Sequence, residues 1–567
     1  MEKIWLKSYP PGVPAEINPD EFRSLKHLIE DCCTQFATRA AFVHMGRSLT
    51  YAELDRLSAR FGGWLQEQAG LKKGDRIAIM LPNLLQYPVI MFGALRAGLV
   101  VVNTNPLYTA TELEHQLRDS GASAVVVLEN FATTLQQALP KTGVRHVIVT
   151  SVGEMLGMAK GALVNFVVRH VQRKVPAWNI PGARLFKDVM AQARRCELRS
   201  LDVNHADIAF LQYTGGTTGV AKGAMLTHRN LVANLLQSRA WFQQVALDNA
   251  TYVCALPLYH IFSLTANCLL FSSLGGTGLL ITNPRDFKAF VADLRKWSPN
   301  FFLGVNTLFN ALMNTPGFDA INWQGLSAAV GGGMAVQKAV AERWQQRTGC
   351  VMGQGWGLTE ASPVACCTLL GRHLADTGFN GSVGLPVPST ELSIRDDDGR
   401  ELALGDVGEI CLRGPQIMRG YWQRPDETDK VMLPDGWLRT GDIGRVDERG
   451  FVYIEDRKKD MIIVSGFKVF PNEIEDVVAH NPGVLECAAV AQKDEHSGES
   501  VALFVVRKDP GLTAEALMAF CHRSLTSYKM PKRIIFRDEL PKTNVGKILR
   551  RALRDELEGV IPPKRSD

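Results

Sequence analysis

The 567-residue sequence lacks any uninterrupted apolar stretch of the roughly 20 residues that a membrane-spanning helix needs. The nearest approach, Tyr87 to Val102, is broken by Arg96 and by Gly93 and Gly98, so no transmembrane helix is expected. A secretory leader is not expected either, because Met1-Glu-Lys-Ile-Trp-Leu6 is charged early and soon meets Pro10, Pro11 and Pro14. Charge of one sign is scarce in excess. The 63 basic and 58 acidic side chains leave +5, too little to imply nucleic acid and compatible with a weak pull on anionic lipid or anionic substrates. The 11 cysteines contain no CxxC pair. Cys32–Cys33 and Cys366–Cys367 are adjacent, a spacing that suits neither a metal nor a routine disulfide, so a reducing, cytoplasmic compartment is expected. Repeats of solenoid period and low-complexity tracts are missing too. What is left is the composition of an ordinary globular enzyme, 46% hydrophobic and 21% charged. Its length allows about three or four folding units.

Short apolar runs alternate with helical patterns over the first ~450 residues, which predicts parallel sheets covered by helices. Arg76-Ile-Ala-Ile-Met80, Val100-Val-Val102, Ala124-Val-Val-Val-Leu128 and His146-Val-Ile-Val-Thr150 read as buried strands, and Leu84 to Ala97 reads as a helix. Ile208-Ala-Phe-Leu-Gln-Tyr213 is a strand running into a glycine-rich loop; Leu279-Leu-Ile281 and Phe301-Phe-Leu303 are later candidates. A charged cluster, Asp456-Arg-Lys-Lys-Asp460, then divides the chain. About 110 residues follow, enough for a small α+β domain, with a strand at Ala502–Val506 and helices at Asn472–His480 and Thr513–Leu525. The fold class read from this pattern is α/β: a large domain of layered sheets and helices over 1–455, a hinge at 456–460, and a small mobile α+β lid over 461–567.

The most informative segment is Tyr213-Thr-Gly-Gly-Thr-Thr-Gly-Val-Ala-Lys-Gly223. Its four glycines let backbone N–H groups turn toward an anion, its three threonines add hydroxyl donors, and Lys222 adds a full charge. Together these suit a triphosphate. The Gly-Lys-Ser/Thr ending of a P-loop is missing, as is the G-x-G-x-x-G spacing of a dinucleotide site.

This string resembles the phosphate-binding loop of the adenylate-forming superfamily: acyl-CoA ligases, adenylation domains of peptide synthetases, and beetle luciferases. Further motifs occur in that family's order over nearly the whole chain, and the likeness is greatest to bacterial long-chain fatty-acid–CoA ligases. The resemblance implies that Tyr213, Thr214, Gly215, Gly216, Thr217, Thr218, Gly219 and Lys222 cradle the phosphates of ATP. Gly331-Gly-Gly-Met334 would border the adenine through Gly331, Gly332 and Gly333. In Gly355-Trp-Gly-Leu-Thr-Glu360, Trp356 stands where the family usually has Tyr; its ring, beside Gly357, suits stacking on a base. Thr359 would contact the α-phosphate, and Glu360 with Thr214 would hold Mg²⁺. Asp435-Gly-Trp-Leu-Arg-Thr-Gly-Asp442 resembles the signature of fatty-acyl-CoA ligases, with Asp435 and Arg439 where Asn and His are usual. Asp442 would accept the ribose hydroxyls and Arg457 would contact ribose or phosphate. In Pro541-Lys-Thr-Asn-Val-Gly-Lys547, Lys547 corresponds to the lysine that reaches the active site during adenylation. The catalytic groups implied are Lys547, Thr214 and Glu360.

The implied activity is ligation of a long-chain fatty acid to coenzyme A, with ATP and Mg²⁺, feeding fatty-acid degradation or lipid metabolism; a medium-chain or other carboxylate is the alternative. Leu256-Pro-Leu-Tyr-His-Ile-Phe-Ser-Leu264 carries no acidic residue to pair with a substrate ammonium, which favours an unsubstituted acid. His260 would wall the acyl site, and Leu264 stands where some relatives have a tryptophan gate. A turn of the lid about Asp456–Lys459 would withdraw Lys547 and open a thiol path past Gly466. The resemblance admits a homodimer. Between Met155 and Pro181, Leu163, Phe166, Val167 and Val171 recur at helical spacing among Lys160, Arg169, Arg173 and Lys174. An amphipathic cationic helix of this kind can lie on the anionic inner face of a cell membrane, or simply pack on the large domain.

Overall fold

A computed structural model of the chain describes residues 2–214, 221–245, 249–371, 374–375 and 378–559. The runs of Val and Ile near the N-terminus form the middle of a seven-stranded sheet. Its order is Arg184–Leu185, His146–Thr150, Ala124–Leu128, Arg76–Met80, Val100–Asn103, Ile208–Thr214 and Lys222–Thr227. All neighbours run parallel except the last pair. Strands buried on both faces need apolar residues without alternation, and the five residues Ala124–Leu128 are all buried. Helix Gln86–Arg96 covers one face; every residue of it is buried.

A second sheet has nine strands: Leu385–Pro386, Val364–Cys367, Met352–Gly357, Ala328–Gly332, Phe301–Gly304, Thr251–Cys254, Thr277–Leu280, Ala40–His44 and Arg47–Thr50. Its central strands are parallel, so their carboxyl ends open on one side, where ligands bind in open α/β sheets. An antiparallel sheet of four strands follows: Glu391–Arg395, Gly408–Arg413, Leu438–Val446 and Val452–Arg457.

Beyond Arg457 the chain builds a separate, smaller unit. Its sheet joins Ile462–Val464, Phe467–Val469, Val484–Asp494, Gly498–Arg507 and Pro531–Arg537, with helices Pro471–Ala479, Ala514–Cys521 and Arg550–Leu557. It has a core of its own, including Ile474, Val478, Leu503, Val505 and Leu517. The architecture is therefore the expected α/β one, a large domain followed by a smaller α+β domain.

Candidate active site

Two glycine-rich strand ends lie side by side. Gly332 of Ala328–Gly332 is in register with Gly355 of Met352–Gly357. The closeness needs glycine: a Cβ on Gly332 would come 2.6 Å from the Phe262 ring and 2.8 Å from the Gly355 carbonyl oxygen. A Cβ on Gly331 would meet Val336, and one on Gly357 would sit 1.7 Å from the Pro363 carbonyl oxygen. Gly333 has φ +76°, the left-handed region that favours glycine. The strands thus reach the rim of a cleft of about 1140 Å³ between the two domains.

Trp356 points its indole N–H into this cleft and donates to Asp442 Oδ2 at 2.8 Å. Asp442 Oδ1 pairs with Arg457 Nε at 2.6 Å, a contact set by the register Asp442↔Arg457 between adjacent strands. Asp442 is buried, and each oxygen keeps a second lone pair for another donor.

Lys547 enters from the small domain. Its side chain lies where Gly333 has no Cβ: an added Cβ would stand 2.9 Å from Lys547 Cε. It rides on a short loop closed by the Thr543 N–H to Lys547 C=O bond, 2.7 Å, and docked by Thr307 Oγ1 on the Gly546 carbonyl, 2.8 Å. Burial pulls the Lys547 ammonium down to about 8; Arg457 and Lys459 push the same way, and Asp442 opposes them. His260, beside it, is lowered to about 3 by burial and by the charge of Lys547. Its Nδ1 accepts the Phe262 N–H at 3.3 Å, so this histidine is neutral.

The phosphate-loop residues begin at the carboxyl end of Ile208–Thr214. The Tyr213 hydroxyl donates to Asp119 Oδ2 at 2.6 Å, and burial with that carboxylate holds its pKa far above the usual range. Asp119 is delivered by helix Ala110–Ser120, whose start is fixed by a Thr109/Glu112 capping box and whose end turns at Gly121, φ +60°. A cap of this kind stabilises by about 1 kcal/mol. Thr214 pairs with Lys222 across the hairpin. The Lys222 ammonium contacts Glu427 and lies 5.2 Å from the Tyr421 ring centroid. Gly215, Gly216, Thr217, Thr218 and Gly219 lie outside the described residues. Glu360 and Thr359 share the short turn Thr359–Ala361, and Glu360 Oε1 accepts the Tyr421 hydroxyl at 2.6 Å.

The structure brings Tyr213, His260, Gly333, Trp356, Gly357, Asp442, Arg457 and Lys547 to one cleft wall. Leu264 is fully buried at the start of the π-helical segment Leu264–Leu269. Gly466, φ +84°, is at the exposed tip of the hairpin Ile462–Val469 and is not among the cleft residues in this arrangement. Sequence reading missed Asp119, Tyr421 and Glu427. All three meet their partners across at least 61 residues of chain, so no local spacing signals them.

The residues fit a magnesium ion. Glu360 offers a carboxylate beside the phosphate-loop strand, and Mg²⁺ asks of a protein only one or two such oxygens, taking the rest from phosphate and water. Among the described residues no group of three or more His, Cys, Asp or Glu side chains forms a dedicated metal cage.

Fold and cleft together define a two-domain α/β protein whose small domain delivers a half-buried lysine to a glycine-edged cleft. The AMP-binding enzyme profile matches residues 29–422, and the profile of that enzyme's C-terminal domain matches 473–547. The chain belongs to the AMP-binding enzyme family. It is 55% identical over 565 residues to a long-chain-fatty-acid–CoA ligase of Salmonella typhimurium, covering 100% of both chains. A protein of the same name from Haemophilus influenzae is 49% identical over 98% of this chain and 99% of its own. Among solved structures, the anthranilate CoA ligase AuaEII with anthranoyl-AMP superposes with TM-score 0.84 at 22% identity, over 96% of this chain and 99% of that one. ATP-bound MatB from Rhodopseudomonas palustris gives 0.79 at 26%, over 94% and 99%.

Proposed function

We propose that this chain is an ATP-dependent ligase that joins a long-chain fatty acid to coenzyme A in two steps. The observation that carries the reading is the half-buried Lys547 of the small domain held against Gly333, beside the Trp356–Asp442–Arg457 cluster. A carboxylate is a poor nucleophile toward a polyanion, so the negative charge must be screened and the attack aligned. The fatty carboxylate oxygen bonds to the α-phosphorus of ATP, the bond to the bridging oxygen breaks, and pyrophosphate leaves. Lys547, at the junction of the domains, bears on the oxygen atoms where charge develops. Asp442 accepts from the ribose hydroxyls while Trp356 and Arg457 hold its carboxylate still. Tyr213, Thr214 and Lys222, with the loop between them, receive the phosphates, and Lys222 exchanges Glu427 for them. Held by Glu360 and Thr214, Mg²⁺ would supply charge neutralisation at the phosphates. His260, neutral, walls the acyl side without a competing charge.

In the second step the small domain turns about the segment 456–460, Lys547 withdraws, and a path opens past Gly466. The coenzyme A sulfur bonds to the acyl carbon, AMP leaves with the electrons of the acyl–phosphate bond, and the thiol proton passes to solvent. The names of the full-length relatives support the long-chain substrate. The same reading includes peripheral contact with anionic lipid, where fatty acids partition, through helix Met158–Phe166 and its π-helical continuation Val167–Val171. Among the described residues no helix is long and apolar enough to cross a membrane.

The test is pyrophosphate release from purified protein with ATP, Mg²⁺ and palmitate, repeated with octanoate and without coenzyme A. A burst without coenzyme A and steady turnover with it, faster on palmitate, is expected. Faster turnover on octanoate reassigns the substrate to medium chains; no release with any acid removes the ligase reading.

A further inference from the structure

Arg550 stands three residues beyond Lys547, at the start of helix Arg550–Leu557. Its guanidinium fork is filled on every side. It donates to Glu475 Oε1 at 3.1 Å and Oε2 at 2.8 Å, to Asn472 Oδ1 at 2.7 Å and to Asp456 Oδ1 at 3.2 Å, and Asp460 Oδ2 lies 3.7 Å away. One helical turn on, Arg554 pairs with Asp460 at 2.7 Å.

These partners belong to two bodies. Glu475 and Asn472 sit on helix Pro471–Ala479 of the small domain. Asp456, the first residue of the segment about which the small domain turns, is fixed on the large-domain side: it lies in strand Val452–Arg457, in register with Ile443 of the four-stranded sheet. The Asp456 side chain is 1% exposed, and its remaining contacts are the N–H groups of Arg457 and Asn472 at 2.8 and 2.9 Å. Asn472 Nδ2 also donates to the Glu455 carbonyl at 3.1 Å. Around the cleft mouth the domains touch through Thr307 on Gly546, Asn310 on Leu485 and the Lys338 N–H on Asp476. None of these is an ion pair between side chains; Arg550 and Asp456, 16% and 1% exposed, form one.

We infer that Arg550 and Asp456 form a latch that holds the small domain where Lys547 meets Gly333, and that this pair must open before the domain can turn. The inference rests on the two-step reading above. The bidentate Glu475 contact travels with Arg550, so the arginine keeps a partner when the latch opens. Hydration of the freed Asp456 offsets much of the lost attraction, so a buried pair orients firmly yet releases at modest cost. Arg550 and Asp456 are positioning residues: neither lies against the reacting atoms, and both act through the placement of Lys547.

The test uses the full-length chain with Asp456→Asn, which removes the charge and keeps the shape, and Arg550→Lys, which keeps the charge and loses the fork. Pyrophosphate release on palmitate is measured in a single turnover; thioester formation is measured separately from supplied palmitoyl-adenylate and coenzyme A. Both variants should lose roughly tenfold or more in pyrophosphate release, as expected for a hydrogen bond to a charged group, while thioester formation holds or rises. Unchanged pyrophosphate release, or an equal fall in both half-reactions, overturns the latch. Should Arg550→Lys fail to fold, Asp456→Asn decides by the same criteria. A fluorescence distance pair across the domain boundary should also show more open molecules for Asp456→Asn than for the natural chain, and equal populations overturn the latch. If Lys547→Ala loses both half-reactions equally, it is the two-step reading that fails, whatever Asp456→Asn does.

Discussion

In water Lys547 would give up its proton around pH 10.5; here burial, with Arg457 and Lys459 adding like charge, brings that down to about 8. The sign follows directly. Below about pH 8 the free enzyme holds the ammonium that the proposed adenylation step uses, and above it the group is neutral. The kcat/KM of acid-dependent pyrophosphate release reports the free enzyme, so it should fall as pH rises through about 8. Thioester formation from supplied acyl-adenylate should not follow that fall, because Lys547 has then withdrawn. Lys547→Ala should cut pyrophosphate release by about 10²–10³-fold, the scale of one preorganised donor at a developing charge, and leave thioester formation standing. A parallel pH profile for both half-reactions would remove the assignment. Trp356 makes a separate claim at this scale. Its N–H fixes Asp442 Oδ2, so Trp356→Phe should raise KM for ATP by about tenfold and leave the melting temperature close to that of the natural chain. Unchanged KM would mean that the bond does not serve the nucleotide.

The strand ends make their own demands. Gly357 lies against the Pro363 carbonyl, and an added methyl would force the two segments apart. Gly357→Ala should therefore destabilise by about 1–3 kcal/mol, the usual cost of overpacking, read from the midpoint of urea unfolding; an unshifted midpoint would show that the turn yields freely. Elements of this kind were legible where one segment carries its own pattern. The apolar runs at Arg76–Met80, Ala124–Leu128 and His146–Thr150 are strands with the bounds read from sequence, and the helix read over Leu84–Ala97 is Gln86–Arg96. The strand expected at Leu279–Ile281 is Thr277–Leu280, beginning two residues earlier, because Gly278 interrupts the apolar run. In the sheet, Gly278 is the residue whose missing Cβ admits the rings of Phe42 and Tyr252. The glycine-rich strings were legible as places of close backbone approach, which Gly332 and Gly357 are. The Trp356–Asp442 bond was beyond reach, and so was the Arg550 hub, since their partners stand 86 and up to 94 residues apart. Even so, Asp456 and Asp460 share the four-residue spacing of Arg550 and Arg554, a faint signal in retrospect.

At the scale of the whole molecule, one apolar surface stands out among the described residues. Met158, Leu163, Phe166 and Val171 are 95%, 63%, 56% and 65% exposed, along one helical segment. The segment is pinned to the body from beneath: Arg169 grips Glu129 with contacts of 2.7 to 3.1 Å, and Lys160 donates to the Met45 carbonyl, beside the half-exposed Met45 side chain. The helix is thus held rigidly while its apolar side chains face outward, with Arg173 and Lys174 at its end. Apolar area returned from water contributes about 25 cal/mol per Å², and each basic residue near an anionic surface about 1 kcal/mol. Neither contribution anchors the protein alone, which predicts binding that is reversible and sensitive to salt. The chain should float with anionic vesicles at low ionic strength, release as salt shortens the Debye length, and bind zwitterionic vesicles weakly. Leu163→Asp with Phe166→Asp should abolish flotation while pyrophosphate release on soluble octanoate stays intact, since the segment lies outside the cleft. Flotation that survives the double substitution would move the contact to another face, and no flotation of the natural chain at low salt would remove lipid from its partners.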